Sequence, residues 1–317
     1  MLSNHNPLPT NPRFMPELPD IVVYMEALEK RIVGQKIETI RVASPSLLRT
    51  VVPPLNTAEG KRVEKLRRIG KRICIGLEGD SWLVLHLMIA GRLYWRARGA
   101  KLARPRGLAA FDFEDATLLW TEAGSQKRAS LYFIAGEENL RSLDPGGLEV
   151  LDANLEQFAA LLTSANHTLK RALTDPRMFS GIGNAYSDEI LFEARLSPMQ
   201  LTQKMTPSQI QQLHAVTRSI LLLWIDRLRS ETGAKFPEKV TAFHDQMAVH
   251  GKYKQPCPRC GNPIQRLRYA SNEANYCPYC QTGGKLLADR SLSRLLREDW
   301  PKTPEALESY IDKRKIS

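Results

Sequence analysis

Four cysteines constrain this chain more than any other feature. Cys257 and Cys260, then Cys277 and Cys280, form two CxxC pairs separated by sixteen residues. Each pair makes a tight turn that aims two thiolates at one point, and this spacing is characteristic of a zinc site. Four thiolates complete a tetrahedral shell and leave no open position for a substrate, so the spacing predicts one structural Zn2+ stapling a β-hairpin. An isolated CxxC would point to redox chemistry; two spaced pairs point away from it. Cys74 lies between Ile73 and Ile75 in a strand-like run and reads as core. The pattern suits a reducing compartment better than a disulfide framework, so a cytoplasmic location is expected.

The formal charge of +11 and a pI of about 9.5 over 317 residues favour a polyanionic partner. Nucleic acid is the usual one, with a ribosome-associated or simply basic enzyme as the alternative. No apolar run reaches the roughly 18 residues of a membrane span, and residues 1–14 lack the apolar core of a signal peptide.

Periodicity divides the chain. A helix is expected from Ile21, with Ile21, Met25, Leu28 and Ile32 on one face, Asp20 capping it and Gly34 ending it. Residues 37–135 alternate as short strands: Ile73, Ile75 and Leu77 run to a turn at 78–81, and Leu83, Leu85 and Leu87 return from it. Phe111 and Phe113 precede a second turn, followed by Leu118, Leu119 and Trp120. Such runs predict a β-sandwich or barrel. Residues 154–230 read as helical, broken at Gly181-Ile182-Gly183-Asn184, a turn that can expose backbone N–H groups at a helix start. The expected units are an extension at 1–15, a β-rich domain at 16–145, a helical domain at 146–255, the cysteine module at 256–284 and a tail at 285–317. In that tail Leu292, Leu295, Leu296 and Trp300 are expected to pack back onto the helical domain.

Met15-Pro16-Glu17-Leu18-Pro19-Asp20 carries the chemistry. If the chain begins at Met15, removal of that methionine leaves Pro16 as a free secondary amine. An α-amino group has a pKa of about 7.7–8.0, so a neutral, nucleophilic fraction exists at physiological pH. Glu17 stands beside it to move protons. Taken alone, an internal Pro-Glu-Leu-Pro is only a rigid helix entrance.

PELPD from Pro16, Gly70-Lys71 at a strand entry, GIGNAYSDEILF from Gly181 and the terminal cysteine hairpin occur in that order. Together they make residues 16–281 resemble the formamidopyrimidine-DNA glycosylase family, which also includes the endonuclease VIII enzymes. PEL rather than PEG is closer to the formamidopyrimidine branch. The resemblance implies an α+β multidomain fold: an N-terminal β-sandwich with a leading helix, a helix–two-turn–helix domain, and a four-cysteine zinc-finger hairpin. It implies a monomer that binds double-stranded DNA containing damaged bases or abasic sites and acts as a glycosylase and abasic-site lyase. By position, Pro16 is the Schiff-base nucleophile, Glu17 the proton donor and Lys71 a phosphate contact that assists β-elimination. Lys170 and Asn184 grip the backbone beside the lesion.

The chain departs from that pattern in four places. Fourteen residues precede Met15, and if they are retained Pro16 has no free amine, leaving a noncatalytic damage-binding member of the same fold. Asn272 occupies the place of an arginine assigned to phosphate binding and δ-elimination, so products are expected to stop after β-elimination. Ile89 stands where a methionine wedge is common, with Met88 adjacent, and Arg128 is the candidate to face the opposite base. The tail beyond Lys285 exceeds the usual length. A basic zinc-ribbon adaptor for RNA or ribosomes is a further reading, but it leaves PELPD unexplained.

Overall fold

Helix α1 (Leu18–Ile32) begins three residues earlier than its apolar spacing suggests, because Pro19 falls in the first turn, where a missing N–H costs nothing. Asp20 is therefore the third helical residue rather than the residue before the helix, and it accepts the Glu17 backbone N–H at 2.7 Å. The inner face is Ile21, Tyr24, Leu28 and Ile32, all fully buried; Met25 is only half-buried. Each such apolar side chain contributes about 1.5–3 kcal/mol on burial. The computed structural model describes residues 15–123, 126–238, 244–268, 273–288, 301–306 and 309.

Two four-stranded antiparallel sheets follow. The strands are β1 (Thr39–Val42), β2 (Val63–Ile69), β3 (Arg72–Leu77), β4 (Ser81–His86), β5 (Gly91–Ala97), β6 (Gly107–Asp112), β7 (Ala116–Glu122) and β8 (Ser130–Ala135). One sheet runs β1-β6-β7-β5 and the other β2-β3-β4-β8. Ile73, Ile75 and Leu77 join Leu83, Leu85, Phe111, Leu118 and Trp120 in one core with the inner face of α1. Cys74 is buried in β3, as its apolar neighbours suggest.

After a short α2 (Glu137–Arg141) the chain becomes helical: α3 (Leu155–Thr163), α4 (Leu169–Thr174), α5 (Asn184–Glu193) and α6 (Pro207–Thr232). Thr206 and Gln209 form the capping box that starts α6. These helices share a second core that also takes Leu18 and, at its edge, Val22 of α1. Helix α1 is thus the seam between the sheets and the helices, and Arg229 of α6 pairs with Glu26 across it.

The cysteine module contains the hairpin β9 (Gln265–Arg268) and β10 (Glu273–Tyr276), followed by α7 (Pro278–Thr282). The described part of the tail returns to this hairpin rather than to the helices. Leu287 packs on Leu267, Ala274 and Tyr276, its N–H donates to the Tyr276 hydroxyl at 2.8 Å, and Leu286 N–H donates to Lys302 O. Leu292, Leu295, Leu296 and Trp300 lie outside the described residues. Among the described residues, no helix is long and apolar enough to cross a membrane.

Candidate active site

Glu17 is buried, and its carboxylate is seated on the first turn of α5. Oε2 accepts the Gly183 N–H at 2.6 Å and the Tyr186 N–H at 3.2 Å; Oε1 accepts the Ala185 N–H at 2.9 Å. A helix N-terminus offers unpaired N–H groups and favours negative charge, so α5 both holds and orients this carboxylate. Leu18 N–H donates to Gly181 O at 2.9 Å and locks the neighbouring peptide to the same turn. Pro16, next to Glu17, is buried at the mouth of α1.

Lys71 reaches the same place from the β2–β3 turn. A Cβ built on Gly183 would collide at once with the Glu17 carboxyl and the Lys71 Nζ. The two charged groups therefore converge over one backbone position, and the absence of a side chain there makes room for them. Burial pulls the Lys71 ammonium below the ordinary lysine range; Glu17 and Asp20 oppose that shift and Lys170 adds to it. The sequence pairs Glu17 with Lys71 only by resemblance, whereas the fold places both against Gly183.

Asp20 is a third charged group in this region. Oδ2 accepts the Glu17 N–H, while Oδ1 is buried with no partner among the described residues. Burial pushes its carboxyl up to about 7; the Glu17 charge adds to the rise, and the Glu17 N–H, Arg92 and Lys71 oppose it. The folded protein thus holds this proton to higher pH than the unfolded chain does. The associated stability is complete below about pH 4, the ordinary aspartate value, and is lost as pH rises toward 7. Asp20→Asn keeps an acceptor for the Glu17 N–H and removes the titration. Its stability relative to the parent is expected to climb between pH 4 and 7 by up to about 4 kcal/mol. Urea melts at pH 4.5, 6 and 7.5 measure this; a pH-independent difference would show that Asp20 stays ionised.

Lys170 lies deeper than a phosphate contact should. It is 6% exposed, and its ammonium donates to Asn184 O at 2.6 Å, Ser187 Oγ at 2.8 Å and Asp188 Oδ1 at 2.6 Å. All three N–H bonds thus have acceptors in the first half of α5. Asp188 also meets His250 Nδ1 at 2.7 Å and the Asn275 amide at 3.4 Å. Lys170, more than its other contacts, holds the Asp188 carboxyl below the usual range against the effect of burial. Asn184 opens α5 half-buried, and its side-chain amide has no partner among the described residues.

The remaining candidates are more scattered. Ile89 is half-buried in the tight turn from Leu87 to Gly91, where the adjacent Met88 has φ of +54° and a Cβ on Gly91 would strike Leu87 O. Arg128 is exposed; its N–H donates to Glu122 and its guanidinium to Gln126 Oε1 at 2.8 Å. Asn272 lies outside the described residues.

The four cysteine Sγ atoms lie within 4.8 Å of one another; Cys260 and Cys277 are 3.5 Å apart, Cys257 and Cys280 3.9 Å. A tetrahedral zinc with Zn–S bonds of about 2.3 Å requires S···S separations of about 3.8 Å, so the cluster fits one structural zinc. The zinc finger is bolted to α5. Arg259 donates to Phe192 O and Glu193, and Gln281 donates to Leu196 O. Glu189 accepts the N–H groups of Ala248, Val249 and His250 just before the finger. A zinc chelator is expected to open residues 254–284 to protease and abolish tight DNA binding, since zinc binding contributes on the order of 10 kcal/mol to folding such modules. Undiminished binding after stoichiometric zinc loss would contradict this.

Three family models match in sequence order: the formamidopyrimidine-DNA glycosylase N-terminal domain at residues 15–130, the formamidopyrimidine-DNA glycosylase H2TH domain at 147–234, and the zinc finger found in FPG and IleRS at 254–283. A formamidopyrimidine-DNA glycosylase of Carboxydothermus hydrogenoformans is 30% identical over 273 residues, covering 84% of this chain and all of the relative. The chain belongs to the formamidopyrimidine-DNA glycosylase family. Among solved structures, the Lactococcus lactis Fpg in complex with DNA containing an abasic site superposes with a TM-score of 0.75 at 28% identity, covering 84% of this chain and 99% of that one. A variant of the same enzyme with Fapy-dG-containing DNA gives 0.75 at 27% identity, covering 84% and 100%.

Sequence reading of this family member missed Asp188 and Glu189 as structural anchors. Their signal was two adjacent carboxylates on a helix whose next residues, Ile190–Phe192, are all apolar. Buried acids of this kind must be paired or hydrogen-bonded, and both are. Arg68 and Glu149 were also missed.

Proposed function

We propose that this chain, with Pro16 as a free amine, removes oxidised purines from double-stranded DNA and then cleaves the strand. Membership of a family of DNA-repair glycosylases supports the reaction class, and the abasic and Fapy-dG complexes of the Lactococcus lactis relative support the substrate class. The observation that carries the reading is the convergence of Glu17 and Lys71 over Gly183, one residue along the chain from Pro16.

In this scheme the target nucleotide leaves the duplex stack, and Ile89 fills the gap. The Pro16 nitrogen bonds to C1′ and the C1′–base bond breaks with its electron pair leaving on the base. Solvent protonates the departed base; Glu17 takes the proton that the Pro16 nitrogen sheds and passes it to the ring oxygen O4′ as the C1′–O4′ bond breaks and the sugar opens. The resulting iminium is cationic without protonation and acidifies the C2′ hydrogen. Glu17, again a carboxylate, accepts that proton, the C3′–O bond breaks and the 3′ phosphate leaves with its electron pair while Lys71 balances its charge; water then hydrolyses the iminium and frees the Pro16 nitrogen. With asparagine at 272, the products stop chiefly at β-elimination.

The test is single-turnover base release from a duplex carrying one oxidised purine, using protein that begins at Pro16. Glu17→Gln is expected to lower the rate about 10²–10⁴-fold; equal rates would refute the assignment of Glu17. The second reading, a noncatalytic damage binder, holds if residues 1–15 are retained, since Met15 then acylates the Pro16 nitrogen. It requires tight binding to damaged duplex without turnover in any form of the protein.

A further inference from the structure

Arg68 sits where the sheets meet the helices, at the end of β2. One of its guanidinium nitrogens donates to Gly70 O at 2.8 Å, the carbonyl that leads into Lys71, and to Ser180 Oγ at 3.3 Å, the residue that leads into Gly181. The other donates to Glu149. Ser180 Oγ donates to the second Glu149 oxygen at 2.5 Å, which closes a three-residue ring. Ser180 N–H also donates to Leu148 O, fixing the backbone beside Glu149. A Cβ on Gly181 would come within 3.2 Å of the guanidinium, so the turn is packed against it.

We infer that Arg68, with Ser180 and Glu149, is a clasp that sets the position of Lys71 relative to the α5 turn that holds Glu17. Lys71 and Glu17 come from segments that share no strand or helix. Their meeting over Gly183 depends on the β2–β3 turn and the Gly181 turn keeping one separation. A planar guanidinium spreads its donors over a rigid fork and can hold both turns at once; a lysine carries all its donors on one nitrogen at the end of a flexible stem. Arg68 touches neither substrate nor reacting atom and is a positioning residue. The inference rests on the glycosylase and lyase reading above.

The test uses full-length protein beginning at Pro16, compared as parent, Arg68→Met, Arg68→Lys and Ser180→Ala. Single-turnover base release, strand cleavage, the Kd for a non-cleavable abasic-site duplex and the melting temperature are measured together. Misplacing reacting groups by about 1 Å costs on the order of 100-fold. Arg68→Met is expected to lose roughly 30- to 100-fold in both rate constants with Kd changed by less than about threefold, and Arg68→Lys to recover part of the loss. Ser180→Ala removes the crossing half alone, so it reports on the clasp even if Arg68→Met does not fold; a loss of about 5- to 10-fold is expected. Rates that stay within twofold of the parent in Ser180→Ala and in every folded Arg68 variant would overturn the clasp. So would rates that fall only in step with Kd and melting temperature. An inactive parent would refute the proposed function instead.

Discussion

Borohydride is expected to trap protein that begins at Pro16 on abasic-site DNA, and to trap none of the same chain carried back to Met1. The difference is all-or-none because it concerns one lone pair. In the longer chain the Pro16 nitrogen is an amide whose electrons are delocalised into the Met15 carbonyl. Freed, it is a secondary amine with a pKa near those of other chain termini, about 7.7–8.0, and is partly neutral at pH 7.5. Nothing else at the site has to move for this change. Glu17 is already fixed by the Gly183, Ala185 and Tyr186 N–H groups, and Leu18 by Gly181 O. Intact mass must be recorded on both samples. An adduct on protein whose mass still includes residues 1–15 would remove Pro16 from the mechanism and point to a lysine.

Gly183→Ala is expected to lower base release and strand cleavage by about 100-fold or more while leaving most of the stability in place. The backbone at Gly183 has φ of −131° and ψ of −156°, a conformation open to alanine, so the substitution adds no conformational strain. The added methyl instead occupies the space shared by the Glu17 carboxyl and the Lys71 ammonium. One or both must withdraw, and the hydrogen bond from Gly183 N–H to Glu17 is distorted with them. Gly181→Ala is the contrasting control: φ there is +80° and the methyl meets Leu18, so its loss should appear as lowered melting temperature. Near-parent rates in Gly183→Ala would show that Lys71 and Glu17 do not act from their observed positions.

What could be read in advance follows from how local each determinant is. The zinc ligands were legible because two short turns carry all four, and only sixteen residues separate the two pairs. The sandwich strands were legible because Ile73, Ile75 and Leu77 alternate against a plain turn. The start of α1 was missed because proline breaks the apolar pattern while still favouring a first helical turn. The setting of Lys170 was not legible, since a lysine on a short helix looks the same whether it faces phosphate or Asp188. Only the packing of α4 on α5 brings them together. Arg68 was not singled out for the same reason: its partners Glu149 and Ser180 lie 81 and 112 residues away in the chain.

Helix α5 is held at its start and at its middle: its first N–H groups grip Glu17, and its Asp188 and Glu189 grip the segment before the finger and the finger hairpin. Recombination between relatives is therefore constrained in a way that domain boundaries do not reveal. A hybrid that joins the helices of one parent to the finger of another inherits mismatched anchors unless both sides of those contacts travel together. A crossover placed after the finger keeps these contacts together and should yield working hybrids, and one placed between α6 and the finger should yield folded halves that fit poorly.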